Sequence, residues 1–355
     1  MFKLLNIYIG KQVIAATVMV LLGLLALETL FSVVRELDDV GQGSYGYSEV
    51  AQVVLAGLPA KIYELFPMAG LMGALVGLGA LATSSELTAM RAAGMKLSQL
   101  LWAVMQAAIL LMVLATALGE GVAPYAQRFS DELRATSRQQ VDELTRGSSL
   151  WFREKNEFVF VQRVESERQL EKIWRFKLDQ DGKLVEVWQA DRALRTGSDW
   201  ALRKVKWTFL GSDSAESGKR ESVPWNTSLT PKTLSAMLLD PSLMNARDLN
   251  RYLRFAQENG LESSRYELAF WQKISQPLAT LVMIFLATPF VFGPLRSKPM
   301  GQRLVVGILL GFGFHMVNRT FGAVSLVYGL PAPAGALLPS FLFLAMAVFM
   351  LRRVR

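Results

Sequence analysis

His315 is the only histidine in the chain, and Arg319 follows it by four residues, one helical turn on, with Asn318 between them. Together with Glu28, these are the ionisable groups set in the most apolar surroundings, where a charge is costly and often functional. A proton relay is one reading. The plainer one has Arg319 reaching to the nearer interface and Glu28 meeting a polar partner inside a bundle. A second constellation is Arg128, Arg134 and Arg138. Guanidinium forks at this spacing suit phosphate groups, although a solvated helix face partly neutralised by Asp131 and Glu132 would read the same way. The third is "TSSELTAMRAAGMKLSQ", Thr83–Gln99, with Glu86, Arg91 and Lys96 between two long apolar runs. Other chemistry has little to work with. There is no cysteine, so thiolate metal sites and disulfides are excluded, and one histidine makes a zinc site or a catalytic triad improbable. No Walker A motif or other phosphate-cradling glycine loop occurs, so the chain is not expected to hydrolyse nucleotide by itself.

The elements that must position these groups follow from hydropathy. Of the 355 residues 52% are hydrophobic and 19% charged, more apolar than an ordinary soluble domain. The apolar residues concentrate in six runs near Gln12–Val34, Ile62–Ala82, Leu97–Leu118, Ile274–Val291, Leu304–Leu326 and Ala334–Leu351, each long enough to cross a bilayer. The first run is too long for a signal-peptide core and no small-residue cleavage site follows, so it reads as an uncleaved span. Lys3, Lys11, Arg91, Lys96, Arg296, Lys298, Arg303, Arg352, Arg353 and Arg355 fall at one end of these spans against one acid, Glu86. At the other end Arg35 and Lys61 face Glu36, Asp38, Asp39, Glu49 and Glu64. The positive-inside rule then puts both termini in the cytoplasm and the long middle segment outside. The net charge of +8 mostly reflects the cytoplasmic loops, which leaves a nucleic-acid partner without support.

The middle segment changes period. "LWFREKNEFVFVQRV" (Leu150–Val164), "KIWRFKLDQDGKLVEVWQADRALR" (Lys172–Arg195) and "WALRKVKWTFLG" (Trp200–Gly211) alternate apolar and polar residues, as half-buried antiparallel strands do. "DQDG" at Asp179–Gly182 and "TGSD" at Thr196–Asp199 supply turns. The expectation is an α-helical membrane protein of six spans in a three-plus-three arrangement, with an inserted all-β domain, a sandwich or open roll. The boundaries are 1–123 for spans one to three, 124–265 for the β domain with helical flanks, and 266–355 for spans four to six. Gly119–Gln140 reads as a continuation of span three broken near Pro124. Asp240–Ile274 reads as a helix, a stop at Gly260, and a second helix into span four. Gly73 and Gly77, and again Gly307 and Gly311, have the GxxxG spacing that lets helices approach closely in lipid. Packing within the chain is the plain reading and packing on a second membrane subunit the sharper one.

Within Thr83–Gln99 the hydroxyls of Thr83, Ser84 and Ser85 offer an N-cap, and Gly94 a C-terminal stop, which makes a helix over 84–95. Leu87 and Met90 share a face, while Glu86 and Arg91, five apart, point away from each other and are left to a partner. A short amphipathic helix between two spans on the cytoplasmic side has the form of an ABC-transporter coupling helix. A membrane-surface turn is the bland alternative.

Four motifs in order resemble those of the LptF/LptG permease family, on its LptG side: "GQGSY" (Gly41–Tyr45), "FPMAGLMGALVGLGALATSSELTAMRAAGMK" (Phe66–Lys96), "VFGPLRSKPMG" (Val291–Gly301) and "YGLPAPAGALLP" (Tyr328–Pro339). The resemblance covers essentially the whole chain. It implies a half-permease of the bacterial inner membrane that pairs with LptF and sits on a dimer of the ATPase LptB. The pair extracts lipopolysaccharide and passes it to LptC and a periplasmic bridge of β-jellyroll domains, of which the inserted domain would be one. Glu86, Leu87, Met90 and Arg91 would form the ATPase-coupling surface. The chain itself would bind no cofactor or metal and carry out no catalysis, ATP and magnesium being used by the partner ATPase. Relatives carry lysines just ahead of "GQGSY" that meet lipopolysaccharide phosphates. Here Asp38 and Asp39 stand in that place, with Arg35 the nearest cation, which moves the head-group expectation toward Arg128 and Arg134. Phe31, Phe66, Met68 and Leu71 are candidates for a cavity that takes the acyl chains.

Two other functions compete. A lipoprotein-releasing or MacB-like permease has four spans and its large domain after span one, against the three-plus-three division here. A membrane-anchored periplasmic binding or scaffold protein would need no ATPase. An intramembrane enzyme is weakest, because no paired carboxylates or nucleophile–base pair stand in the spans.

Overall fold

A computed structural model of the chain describes residues 2–137, 149–154, 157–166, 168–179, 183–196, 199–211, 214–227, 229, 230, 234, 241–259, 261–293 and 298–353. Arg138, Gly260, Arg296, Arg355 and the centres of the "DQDG" and "TGSD" turns lie outside the described residues. The chain divides into two compact units: Met1–Val40 with Gly46–Asp131 and Glu267–Arg355, and Gly41–Tyr45 with Glu132–Tyr266.

The first unit is helical. Its spans are α1 (Phe2–Leu37), α2 (Tyr47–Thr83), α4 (Leu97–Ala117), α7 (Ser264–Phe292), α8 (Met300–Val327) and α9 (Ala332–Arg353), with α3 (Glu86–Ala92) between α2 and α4. Six helices among the described residues are long and apolar enough to cross a membrane. Most run beyond the apolar stretch. With its 37 residues α2 is about 55 Å long, well over a hydrocarbon core of about 30 Å. It is also the central helix: 78% of its most apolar window is buried in this chain, against 22% for α1 and 17% for α8.

Small residues explain that centrality. A Cβ added at Gly73 would lie 2.6 Å from the backbone nitrogen of Thr17 and closer still to its Cα, and one at Gly77 would lie 2.8 Å from the carbonyl oxygen of Gln12. Here α1 lies directly on α2. On the other side a Cβ at Gly307 would come within 2.9 Å of Met72, and one at Gly311 within 2.6 Å of Met68. Both GxxxG pairs are thus used inside this chain, where lipid offers no hydrophobic drive and close backbone packing holds helices together.

Pro124 does not break the helix after α4. A π-turn over Leu118–Val122 precedes it, with the Ala123 N–H reaching back five residues to the Leu118 carbonyl, and α5 continues over Ala123–Ser137. Proline has no N–H for the bond to the Glu120 carbonyl, so a single wide turn absorbs the mismatch and the chain stays helical.

In the second unit six strands form one antiparallel sheet in sequence order: β1 (Leu150–Glu154), β2 (Glu157–Ser166), β3 (Gln169–Leu178), β4 (Leu184–Thr196), β5 (Asp199–Leu210) and β6 (Ala215–Trp225). The core face carries Val159, Val161, Ile173, Ala190, Leu202 and Val205. Along four strands the alternation skips one residue, so that buried positions fall three apart: Val161 and Val164, Leu170 and Ile173, Ala190 and Ala193, Leu202 and Val205. Lys172 and Lys204 adopt a left-handed conformation (φ 50°) in the skipped positions of β3 and β5. A phase slip repeated at matching register bends the whole sheet along one line. Bent so, its two edges approach: Phe152 of β1 stacks on Trp225 of β6 at 6.5 Å, Thr227 donates to Glu154 at 2.6 Å, and Trp200 donates from its indole to the Leu229 carbonyl at 2.8 Å. The result is an open roll closed over its own core.

Two further pieces complete this unit. Helix α6 (Ala246–Asn259) is capped by Asn245, whose side-chain oxygen accepts from the Asp248 N–H at 2.8 Å. The "GQGSY" segment is a clip: Gly41 takes φ 95°, its N–H donates to the Tyr45 carbonyl at 3.0 Å, Tyr45 is buried, and Ser44 donates from its N–H to the Ser137 carbonyl at 2.7 Å. The motif therefore ties the α1–α2 connection to the end of α5.

Candidate functional site

At one end of the helical unit α3 stands as a discrete seven-residue helix, shorter than 84–95. Its start differs from the hydroxyl cap read from the sequence. Ser85 occupies the N-cap in a left-handed conformation (φ 62°) without a side-chain cap bond, and the neighbouring Ser84 hydroxyl donates to the Glu86 carboxylate at 2.8 Å. Its end is the expected glycine stop. Gly94 (φ 92°) donates to the Arg91 carbonyl at 3.0 Å and Met95 to the Met90 carbonyl at 3.1 Å, the paired bonds of a Schellman motif.

Leu87 and Met90 share a face, as the spacing requires, but that face is turned inward. Both are buried in the bundle core with Met95. Buried there, they anchor the helix and fix what it presents. Glu86 is half-buried and not unspent, since its second oxygen accepts from the Tyr8 hydroxyl of α1 at 2.9 Å. The carboxylate is thereby held at a fixed angle by α1 and the α2–α3 corner. The Arg91 side chain is exposed and makes no hydrogen bond or ion pair among the described residues. What α3 offers outward is a positioned carboxylate and a free guanidinium.

By its charge Arg303 belongs with the solvated basic residues at the end of a span. It is instead 2% exposed, in the first turn of α8, and donates to the Thr83 hydroxyl at 3.2 Å. A Cβ at Gly79 would come within 2.8 Å of its side chain. A cation at the C-terminal turn of α2 meets the negative end of that helix, and it pins α8 to the root of α3.

At the opposite end of the unit, Glu28 of α1 takes Lys61 of α2 at 2.6 Å and Arg35 of α1 at 3.0 Å, and both cations also donate to Ser32. The cluster carries one net positive charge and leaves Arg35 with 63% of its side chain exposed. Glu28 thus finds its partners within α1 and α2, and no bond from it to His315 or Arg319 exists among the described residues. A carboxylate placed in a span seeks a polar or charged partner on a neighbouring helix, which is the signal in the sequence that points to Lys61. Nearby, Lys273 of α7 lies 3.4 Å from Glu120 in the π-turn and 5.8 Å from the Tyr63 ring, joining the second, third and fourth spans by a shielded ion pair.

Arg128 and Arg134 both lie on α5, half-buried and engaged in further interactions. Asp38 is exposed and Asp39 half-exposed, just past the end of α1. Of the four cavity candidates only Phe31 presents an open apolar surface, at 51% exposed. Phe66 and Leu71 are sealed in the bundle core, and Met68 fills the α2–α8 crossing against Gly311. Because α2 is central in the bundle, an apolar residue on it mostly meets neighbouring helices of this chain.

Comparison with known proteins adds the following. The family described as "Lipopolysaccharide export system permease LptF/LptG" matches residues 7–353. A Haemophilus influenzae protein (strain Rd) named "Lipopolysaccharide export system permease protein LptG" is 37% identical over 359 residues, covering 100% of both chains. The protein of the same name from Escherichia coli K12 is 37% identical over 355 residues, 99% of each.

Proposed function

The chain belongs to the LptF/LptG family of lipopolysaccharide export permeases, and from that premise we propose that it is one half of an ATP-driven lipopolysaccharide extractor. It is a multi-pass inner-membrane permease subunit that serves lipopolysaccharide export, and the reading as a scaffold without transport has no support from this membership. In the proposed assembly LptF is the second half-permease, a dimer of LptB supplies hydrolysis of ATP with magnesium, and LptC receives the lipid outside. Both termini and α3 face the cytoplasm, and the β roll lies in the periplasm, following the excess of basic residues at the α3 end.

The observation that carries this reading is α3: a short helix between two spans, anchored by buried Leu87 and Met90, with Glu86 fixed and Arg91 outward. A groove on an ATPase that grips those charges moves α3 as a unit. Arg303 then ties that movement to α8, while Tyr8 ties it to α1. Those are the two spans least buried in this chain, which supports their facing a second permease subunit across a lipid-sized space. Extraction needs an energy source, since an acyl chain costs about 0.8 kcal/mol per methylene to move out of an apolar setting.

Arg35, Arg128 and Arg134 are the candidate cations for head-group phosphates. Charge reversal Arg134→Glu is expected to lower lipopolysaccharide photocrosslinking several-fold more than neutralising Asp38 and Asp39 together. The opposite order would move the head-group site to the end of α1. Purification of the full chain in mild detergent tests the assembly itself. A nucleotide-hydrolysing subunit and bound lipopolysaccharide are expected to accompany it, and recovery alone, without ATPase activity, would contradict the reading.

A further inference from the structure

The face of the β roll opposite its core carries a row of six residues, one from each strand, in direct register. Trp151 pairs with Phe160, Phe160 with Trp174, Trp174 with Gln189, Gln189 with Lys206, and Lys206 with Lys219. The row is graded: three aromatic rings, an amide, two ammonium groups. The neighbouring row repeats the grading, from Phe158 and Phe176 through Val187 to Thr208 and Ser217. The rings form a continuous platform, Trp151 on Phe160 at 4.6 Å and Phe160 on Trp174 at 5.4 Å. Where the gradient turns polar the face holds a cavity of about 420 Å³, lined by Trp174, Gln189, Lys206, Trp207, Ser217 and Lys219 among others. That size falls in the range of small-ligand sites.

Two features of this cavity call for a ligand. Lys206 and Lys219 are directly opposed on neighbouring strands, an arrangement of like charges that destabilises a sheet. Neither makes an ion pair with a described residue, although the sheet has acids placed to neutralise other cations, as Glu171 does for Arg163 and Arg192. An anion held between the two ammonium groups would turn their repulsion into attraction. Beside them, an aromatic ring offers a flat apolar surface with a polar rim, and Gln189, Thr208 and Ser217 offer donors and acceptors. Flat apolar contact, hydroxyl-matching groups and paired cations together describe one ligand class.

We propose that this face of the β roll binds an acidic saccharide, a pyranose bearing phosphate or carboxylate, with its ring on Trp174 and its charge between Lys206 and Lys219. The inference rests on the lipopolysaccharide reading for the source of that saccharide: the acidic core sugars of the cargo, outside the acyl chains. The platform of Trp151 and Phe160 extends the site for further sugar units.

The test is equilibrium binding of de-acylated, phosphorylated lipopolysaccharide core oligosaccharide to the full chain in detergent. Maltoheptaose serves as the neutral saccharide and inorganic phosphate as the bare anion. The expected result is binding of the oligosaccharide that weakens with salt. It should weaken about tenfold or more in Lys206→Glu/Lys219→Glu and by a smaller factor in Lys206→Gln/Lys219→Gln. Maltoheptaose should not bind, and phosphate alone should bind far more weakly. Both pairs of substitutions are on exposed side chains, and an unchanged thermal unfolding curve confirms that the roll is intact. Undiminished affinity in both variants, or equal binding of maltoheptaose, or phosphate binding as tight as the oligosaccharide, overturns the proposal. ATP-driven lipopolysaccharide release by the unaltered protein is read separately. Its absence would count against the permease reading, while a saccharide site lost only in the lysine variants would still stand on its own.

Discussion

Gly73→Ala is expected to destabilise the helical unit by about 1–3 kcal/mol, and Gly73→Leu to prevent its assembly. The reason is contact with backbone and not with a side chain that can swing away. A Cβ at Gly73 meets the Cα, nitrogen and hydroxyl of Thr17 on α1, so the whole of α1 must shift to admit it. In lipid the loss is severe, because helix association there rests on close packing with no hydrophobic drive to compensate. Gly57→Ala, on the same helix where nothing lies within 4 Å of the added atom, is the matched control. It should be neutral or slightly stabilising, since alanine favours helix. Detergent thermal unfolding and membrane yield read both. Equal tolerance of alanine at the two positions would contradict the α1–α2 packing.

The second large effect is functional. Glu86→Ala is expected to leave all six spans in place and the yield unchanged, yet to reduce ATPase association and ATP-driven lipopolysaccharide release at least tenfold. A hydrogen bond to a charged group is worth about 1.5–3 kcal/mol, and one tenfold step is about 1.4 kcal/mol. The carboxylate is held from two sides, by Tyr8 at 2.9 Å and Ser84 at 2.8 Å, which fixes its direction without covering it. Tyr8→Phe removes one of those holds and should produce a smaller loss with the charge retained. Leu87→Ala should act differently, lowering stability by about 2–5 kcal/mol, because it empties a buried core position. Full association of the Glu86→Ala variant with the ATPase would sink the role assigned to α3.

These contrasts mark how far the sequence could be read. The six spans were legible because about twenty consecutive apolar residues have few other uses, and the strands because Val159, Val161 and their neighbours alternate with polar residues. The helix ends were not. Nothing in hydropathy says that α2 begins at Tyr47 when its apolar run begins near Ile62, since the added turns are stabilised by tertiary packing. The bend of the β roll was hidden in a detail of the alternation, the consecutive polar pairs Glu171–Lys172, Asp191–Arg192 and Arg203–Lys204, which a period-two reading passes over. At α3 the spacing identified the face of Leu87 and Met90 but gave no direction to it, because an amphipathic helix can turn its apolar side to its own bundle or to a partner. The settings of Lys61 and Arg303 within the bundle were hidden for a shared reason. Charge counting assigns basic residues to loops, whereas a buried carboxylate or a helix C-terminus can hold a cation inside the bundle. Phe66 and Leu71 are packed in the bundle core because α2 is the central helix, a position that hydropathy alone does not reveal.

ATP-driven release is the most direct test of the permease reading. The full chain, co-purified with the proposed membrane and ATPase subunits, is placed in liposomes containing lipopolysaccharide, and transfer to a soluble acceptor is followed over time. Release that requires ATP, stops when Glu86→Ala replaces the native chain, and continues in Gly57→Ala is expected. Hydrolysis of ATP with no lipopolysaccharide leaving the bilayer, or release that proceeds equally without ATP, would contradict it.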